Sequence, residues 1–259
     1  MSIFDLSGRV AVITGGNGGI GLGMAQALAA AGCHVSIWGR NADKNKSAAA
    51  SMAGTKGEID AQVCDVTSAA SVKSAMDSTL RKFGRVDGCF ANAGIGGGGR
   101  HAFIDRTEEQ WRTMFATNLD GVFHVFQAAA RHMVERAGNG DAFGRLVATS
   151  SLASLFGTAR NEHYAATKAA INALVRALAV EEARYGITAN AILPGWIKSD
   201  MTAGIMANDK FVGNVMPRIP MRRFGEPSDF GGIAVYLMSQ ASAYHTADCF
   251  VIDGGYTAF

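Results

Sequence analysis

Short runs of apolar and β-branched residues recur along the chain, and longer stretches with helical spacing follow them. RVAVIT (Arg9–Thr14), HVSIWG (His34–Gly39), AQVCDV (Ala61–Val66), VDGCFANA (Val86–Ala93), GRLVATSS (Gly144–Ser151), ITANAILP (Ile187–Pro194) and DCFVIDGG (Asp248–Gly255) predict strands. Helices are expected from Gly19 to about Ala31, through about Met52, through about Phe83, from Thr107 to Arg136 with or without a bend, and around Asn161–Leu174. Most strand runs are almost continuously apolar, which requires burial on both faces. Strands alternating with helices make βαβ units. The expectation is one α/β domain, residues 1–259, with a doubly wound parallel sheet of about seven strands and helices on both faces.

Two stretches break this rhythm. GIGGGGR (Gly94–Arg100) follows the fourth strand and is free enough in backbone angle for a ligand to lie closely over it. The other runs over 196–224, beyond the sixth strand, where open α/β sheets bind ligands. All four prolines fall at or after Pro194, and Pro217 and Pro220 bracket the end of this segment. Its apolar residues predict a substrate lid.

Composition narrows the class. Hydrophobic residues make up 48% of the 259 and charged residues 18%, enough apolar material for a sizeable core. The net charge of +2 is well mixed, unlike the basic stripe of a nucleic-acid binder. Cys33, Cys64, Cys89 and Cys249 have no metal-ligand spacing, and three lie in or beside strand-like runs, so buried reduced thiols in a reducing compartment are expected. His101, His124, His132, His163 and His245 show no ligand pairing, and no metal is expected. The start, MSIFDLSGRVAV, does not read as a signal peptide, and no uncharged apolar stretch reaches the ~18 residues of a membrane span; the expectation is a soluble cytoplasmic protein.

The first candidate chemistry lies in RVAVITGGNGGIGLGMAQALA, a strand, a glycine turn and a helix. Two registers fit a dinucleotide loop, Gly16-x-Gly18-x-x-Gly21 and Gly15-x-x-x-Gly19-x-Gly21. Glycines let the backbone approach a pyrophosphate, and the helix start offers free N–H groups and a positive dipole end. At the tip of the second strand stand Gly39 and Arg40, with no acid to bind a ribose 2′-hydroxyl or repel a 2′-phosphate. This favours NADP(H) and leaves NAD(H) usable. The second candidate is NEHYAATKAAINAL, where Tyr164 and Lys168 are four apart on a helix, about 5–6 Å from each other on one face. A nearby cation stabilises phenolate, so Lys168 is expected to draw the Tyr164 pKa below its ordinary value of about 10.

TGGNGGIG (Thr14–Gly21), CDV (Cys64–Val66), ANAG (Ala91–Gly94), Asn118 in ATNLDGVF, Ser150–Ser151, Tyr164-x-x-x-Lys168 and LPG (Leu193–Gly195), taken in order and spacing, resemble the short-chain dehydrogenase/reductase family from the first strand to the closing IDGGY. The resemblance implies a Rossmann-type fold and an NAD(P)(H)-dependent oxidoreductase interconverting a secondary alcohol and a ketone. It implies that Tyr164 is the acid/base and that Lys168 lowers its pKa and binds the nicotinamide ribose. Ser151, thirteen residues before Tyr164, would bind the substrate oxygen, and Asn118 would hold a water relaying protons to Lys168. Ser150 has the wrong spacing for that role. Gly15, Asn17, Gly18, Gly19, Ile20 and Gly21 would cradle the cofactor, with Asp65 and Val66 at adenine and Asn92, Ala93 and Gly94 along the adenosine ribose and phosphate side. After the Pro194–Gly195 turn, Ile197 would meet the carboxamide through its backbone. Ser199 stands where the family usually has Thr, and Ala91 replaces the first residue of N-N-A-G.

Ile95, Leu152, Ala153, Phe156, His163, Trp196, Met201 and Met206 are candidates to line the substrate pocket. None fixes a carboxylate or phosphate, so a neutral, medium-sized, cyclic or aromatic carbonyl compound is expected. An alternative is a 3-oxoacyl-thioester (acyl-carrier-protein) reductase, with Arg100, Arg106, Arg218, Arg222 and Arg223 as a basic mouth; another is a nucleotide-binding sensor without catalysis. The family resemblance implies a homotetramer, and the apolar stretch Cys249–Phe259 suits either a subunit contact or packing on its own sheet.

Overall fold

The computed structural model of the chain describes residues 2–96 and 101–258. Seven parallel strands, β1 (Val10–Thr14), β2 (His34–Gly39), β3 (Ile59–Val63), β4 (Gly88–Ala91), β5 (Gly144–Thr149), β6 (Ile187–Pro194) and β7 (Cys249–Ile252), form one sheet in the order β3-β2-β1-β4-β5-β6-β7. Side chains alternate across it. Ala11 and Ile13 of β1 join a core with α1 (Gly19–Ala30), α2 (Ala42–Ser51) and α9 (Gly231–Met238). Val12 points into the opposite core, with α3 (Ala69–Phe83), α5 (Gly121–Gly138) and α6 (Glu162–Glu182). Burial on both faces is the reason the strand runs read as continuously apolar. Arg100 and most of the glycine-rich stretch before it lie outside the described residues.

β2 and β6 occupy the expected residues, whereas β3 starts and ends earlier than Ala61–Val66. Its ladder with β2 pairs Val35 with Ile59 and Gly39 with Val63, and β2 stops there. Cys64 to Val66 therefore leave the sheet, and Asp65 closes a turn by accepting the N–H and hydroxyl of Thr67. Their apolar character reflects burial under a helix: a Cβ at Gly121 would lie 2.7 Å from Val66.

The long helical run is broken. α4 (Glu108–Phe115) opens on a capping box between Thr107 and Gln110, and one wide π-turn, Ala116–Asp120, separates it from α5. Such turns mark functional positions, and this one carries the fully buried Asn118. Beyond β6 the expected lid region contains α7 (Ala203–Met206) and α8 (Asp209–Val215) and is anchored by buried Val215, Ile219 and Phe224. The closing stretch packs partly on its own chain: Tyr256 is buried, with its ring 6.4 Å from that of Phe156.

The cysteines are free, and burial pushes the Cys89 thiol up to about 12 and Cys64 up to about 11, as for inert core thiols. Among the described residues, no helix is long and apolar enough to cross a membrane.

Candidate active site

The sheet order reverses between β1 and β4, which opens a crevice at the carboxyl ends of these strands. Thr14 ends β1 and fastens both lips: its hydroxyl accepts the N–H groups of Asn92 and Ala93, each at 3.0 Å. The glycine loop then turns through Gly15 (φ 64°) and Gly19 (φ 50°), left-handed angles that favour glycine. At Gly21 a Cβ would lie 2.3 Å from the Gly15 carbonyl oxygen, so the turn closes on bare backbone. Gly18 caps α1 without a side chain, leaving the first helical N–H groups to face a ligand. This cradle fits the pyrophosphate of a dinucleotide.

At the strand tip, Asn17 donates to Asn45 Oδ1 at 2.6 Å, and Asn45 Nδ2 donates to the carbonyls of Gly39 and Gln62. A Cβ on Gly39 would lie 2.3 Å from Asn17 Nδ2, so an acidic residue there has no room. Arg40 is exposed beside Asp65. The Thr67 hydrogen bonds, and more weakly the Arg40 charge, hold the Asp65 carboxyl below its ordinary range.

α6 brings Tyr164 and Lys168 to the same crevice. Lys168 is almost fully buried, and its Nζ donates to the Thr149 carbonyl at 2.7 Å. Burial pushes its pKa down to about 8. Its Nζ stands 5.5 Å from the centroid of the Tyr164 ring. The expectation that Lys168 lowers the Tyr164 pKa is not met. Burial raises the phenol, and only the Ser151 hydroxyl acts in the opposite direction. The i, i+4 spacing sets the ammonium over the ring, and desolvation acts on both groups.

Ser151 Oγ accepts the Ala153 N–H at 3.1 Å, which fixes it at the mouth of the β5–α6 connection. Ser150 instead donates to the Lys168 carbonyl, a structural bond. Asn118 Oδ1 accepts the Ile95 N–H at 2.8 Å while its Nδ2 donates to the Ile95 carbonyl at 2.9 Å. Its carboxamide thus pins the strand-end loop. Gly94 sits between: a Cβ there would lie 3.2 Å from Asn118 Oδ1 and 3.8 Å from Lys168 Nζ.

Apart from the fully buried Asn118, these groups line one cleft of about 300 Å³. It brings together Gly15, Asn17, Gly18, Gly19, Ile20, Asn92, Ala93, Gly94, Ser151, Tyr164, Lys168, Pro194, Gly195, Ile197 and Ser199, with Ile95 and Met201 from the expected substrate pocket. The other pocket candidates are placed differently. Leu152 and His163 are buried, Ala153 is half-buried with its N–H on Ser151 Oγ, and Phe156 is exposed with its ring 6.4 Å from that of Tyr256. Trp196 packs edge-on against Phe211 at 4.8 Å, and Met206 joins the same apolar cluster. Alternation of polar and apolar residues in a loop does not say which side chains anchor it and which face the cleft.

The sequence also gave no sign of Lys44 and Asp200, which line the cleft from α2 and from the segment after β6 and form an ion pair with each other. Only folding brings these two residues together.

Known proteins share this architecture and sequence. A family model described as enoyl-(acyl carrier protein) reductase matches residues 15–257. The chain is 34% identical over 253 residues to the 3-oxoacyl-(acyl-carrier-protein) reductase of Chlamydia pneumoniae, covering 97% of this chain and 98% of that one. It is 33% identical over 256 residues to the gluconate 5-dehydrogenase of Gluconobacter oxydans, covering 98% and 97%. A gluconate 5-dehydrogenase from Burkholderia cenocepacia, solved in complex with NADP and tartrate, superposes with a TM-score of 0.91 at 34% identity, over 99% of this chain and 98% of that one. A short-chain type dehydrogenase/reductase from Mycobacterium marinum superposes with a TM-score of 0.92 at 35% identity, over 99% and 98%. With these matches spanning the glycine cradle, the Ser151–Tyr164–Lys168 cluster and the whole sheet, the chain belongs to the short-chain dehydrogenase/reductase family, NAD(P)-dependent oxidoreductases acting on CH–OH groups.

Proposed function

We propose that this protein interconverts a ketone and a secondary alcohol with NADP(H) as the preferred cofactor. The observation that carries this reading is the convergence of the Ser151 and Tyr164 hydroxyls with Lys168 in the cleft that also holds the glycine cradle. A dinucleotide held by the glycine cradle would supply or accept the hydride. The chain's own residues handle the oxygen: Ser151 and Tyr164 donate hydrogen bonds to a carbonyl oxygen as it gains negative charge, and Tyr164 gives it a proton. A phenol whose pKa burial has raised is already protonated at neutral pH, the form that ketone reduction needs. Reduction should therefore persist through neutral pH and fail only in alkali, while alcohol oxidation climbs with pH; a pH profile of both directions checks this. A proton relay through Asn118 and Lys168, which flank Gly94, is part of this reading.

The preference for NADP(H) rests on Arg40 and on the lack of room for an acid at Gly39. Ile95 and Met201 give the substrate end an apolar lining, which suits a neutral carbonyl compound, and the 196–224 segment serves as its lid. A second reading, a 3-oxoacyl-thioester reductase, draws on the relative from Chlamydia pneumoniae. The basic mouth it would use is weak among the described residues: Arg106 is paired with Glu162 and Arg223 with Asp229. We also infer a homotetramer, supported by a hollow between α5 and α6 in which Phe123, Ala130, Leu174 and Leu178 stand beside Gln127, Arg131, Glu181 and Glu182; light scattering tests it.

The function is tested by fluorescence titration with NADPH and NADH, then by NADPH oxidation with cyclohexane-1,4-dione, 5-keto-D-gluconate and a 3-oxobutanoyl thioester. Tighter NADPH binding and reduction of the dione support the reading. Tighter NADH binding, or turnover of the thioester alone, overturns the corresponding half.

A further inference from the structure

A surface arginine is the ordinary reading of Arg106, yet its side chain is 5% exposed and its donors are spent on segments far apart along the chain. Nε donates to Glu162 Oε1 at 2.9 Å, and one terminal nitrogen donates to the Arg160 carbonyl, also at 2.9 Å. Longer contacts reach Gln110 Oε1 at 3.4 Å and the His101 carbonyl at 3.5 Å. The two short bonds cross 56 and 54 residues of chain. They join the β4–α4 connection to the first residue of α6, the helix that carries Tyr164, and to Arg160 just before it.

The start of α6 needs such support. Asn161 stands at its N-cap position but makes no side-chain capping bond, and its buried Oδ1 has no partner among the described residues. A helix start without a cap is prone to fray. The chain enters through Arg160 at φ 61°, a left-handed angle unfavourable for a residue other than glycine. Glu162 opens the helix, and Tyr164 is its third residue. By contrast, Arg106 directly precedes the Thr107–Gln110 capping box of α4, a start with both reciprocal bonds in place. The guanidinium thus ties a well-capped helix start to a poorly capped one. The hydrogen bond from Arg106 is also the leading cause holding the Glu162 carboxyl below its ordinary range, so the pair is ionised at neutral pH.

We propose that Arg106 is a positioning residue for Tyr164: by clamping Glu162 and the Arg160 carbonyl, it holds the first turn of α6 at the angle that aims the Tyr164 hydroxyl into the cleft beside Ser151. This rests on the reading of Tyr164 as the proton donor. Arg106 touches neither cofactor nor substrate in this role, so its loss acts on kcat rather than on binding. The planar fork reaches the Glu162 carboxylate and the Arg160 carbonyl at once, so geometry matters as well as charge, and lysine substitutes for it only in part.

The test compares Arg106→Met, Arg106→Lys, Glu162→Gln and the Arg106→Met/Glu162→Gln pair with the wild type and Tyr164→Phe, using cyclohexane-1,4-dione and NADPH. The expected result for Arg106→Met is a kcat at least tenfold lower, with KM and the NADPH Kd within threefold. Arg106→Lys recovers part of that loss, and the double variant is no worse than Arg106→Met alone. A readout without substrate is the 13Cζ resonance of Tyr164, assigned by its loss in Tyr164→Phe. In Arg106→Met it titrates at lower pH, as the loosened ring meets water. A wild-type kcat with an unshifted titration overturns the proposal, as does an effect confined to KM. Full activity in Tyr164→Phe overturns instead the reading on which it rests.

Discussion

Two poles of the same sheet bury charge in opposite ways. At the amino ends of the strands, Asp87 is fully buried, and Arg9, Arg85 and Arg136 all reach it, at 3.1, 2.6 and 3.1 Å. Its second oxygen accepts the Val10 N–H. At the carboxyl ends, Lys168 is also buried but among the described residues has one bond, to a neutral carbonyl, and no carboxylate partner. Compensated charge at the first pole locks strands together. Uncompensated charge at the second leaves a group near its titration point and free to serve a reaction. The two poles separate stability from chemistry within about one strand length.

The sharpest way to break this contrast is at the reactive pole. Tyr164→Phe is expected to lower kcat about 10³-fold, ~4 kcal/mol of transition-state stabilisation, with NADPH binding kept; steady-state kinetics beside fluorescence titration checks it. At the compensated pole, Asp87→Asn should destabilise the fold by about 3–5 kcal/mol, because three guanidinium groups lose their buried partner. Urea unfolding reads that loss, and activity per folded molecule should remain near wild type.

Lys168→Met tests both poles at once: activity should fall while stability rises. The folded pKa of about 8 lies below the ordinary 10.5, so the folded chain disfavours the ammonium. Below pH 8 that cost is present in full. Removing it stabilises the fold by up to about 3 kcal/mol at pH 7, less about 1 kcal/mol for the lost Thr149 bond. From about pH 8 to 10.5 the unfolded wild type binds more protons than the folded form, so wild-type stability gains with pH and the gap narrows. Unfolding at pH 7 and pH 9.5 measures this, and a gap that widens would contradict the assigned direction. The smallest effects belong to the cleft rim. Arg40→Asp should weaken NADPH about tenfold more than NADH, whereas Lys44→Met, beside the glycine loop, should weaken both by a similar few-fold, since the pyrophosphate is common to them. Paired titrations distinguish the two.

Much of this molecule was legible along the chain. The strand runs at His34–Gly39 and Ile187–Pro194 needed only periodicity, because a strand buried on both faces is apolar at every position. The glycine loop needed only local backbone freedom, and Tyr164 and Lys168 needed only helical spacing. β3 was misplaced because burial under α5 and burial in the sheet look alike in sequence. The pocket candidates scattered because a loop's apolar residues anchor it as often as they line a site, as Trp196 does against Phe211.

The sequence alone determined which elements form, in what order, and which reactive side chains they carry, since these follow from interactions a few residues long. Only the tertiary structure decided what those side chains feel. The raised Tyr164 pKa comes from packing, and the Lys44–Asp200 and Arg106–Glu162 pairs join residues 156 and 56 positions apart. Desolvation and long-range pairing depend on what surrounds a group in space, which no spacing along the chain records.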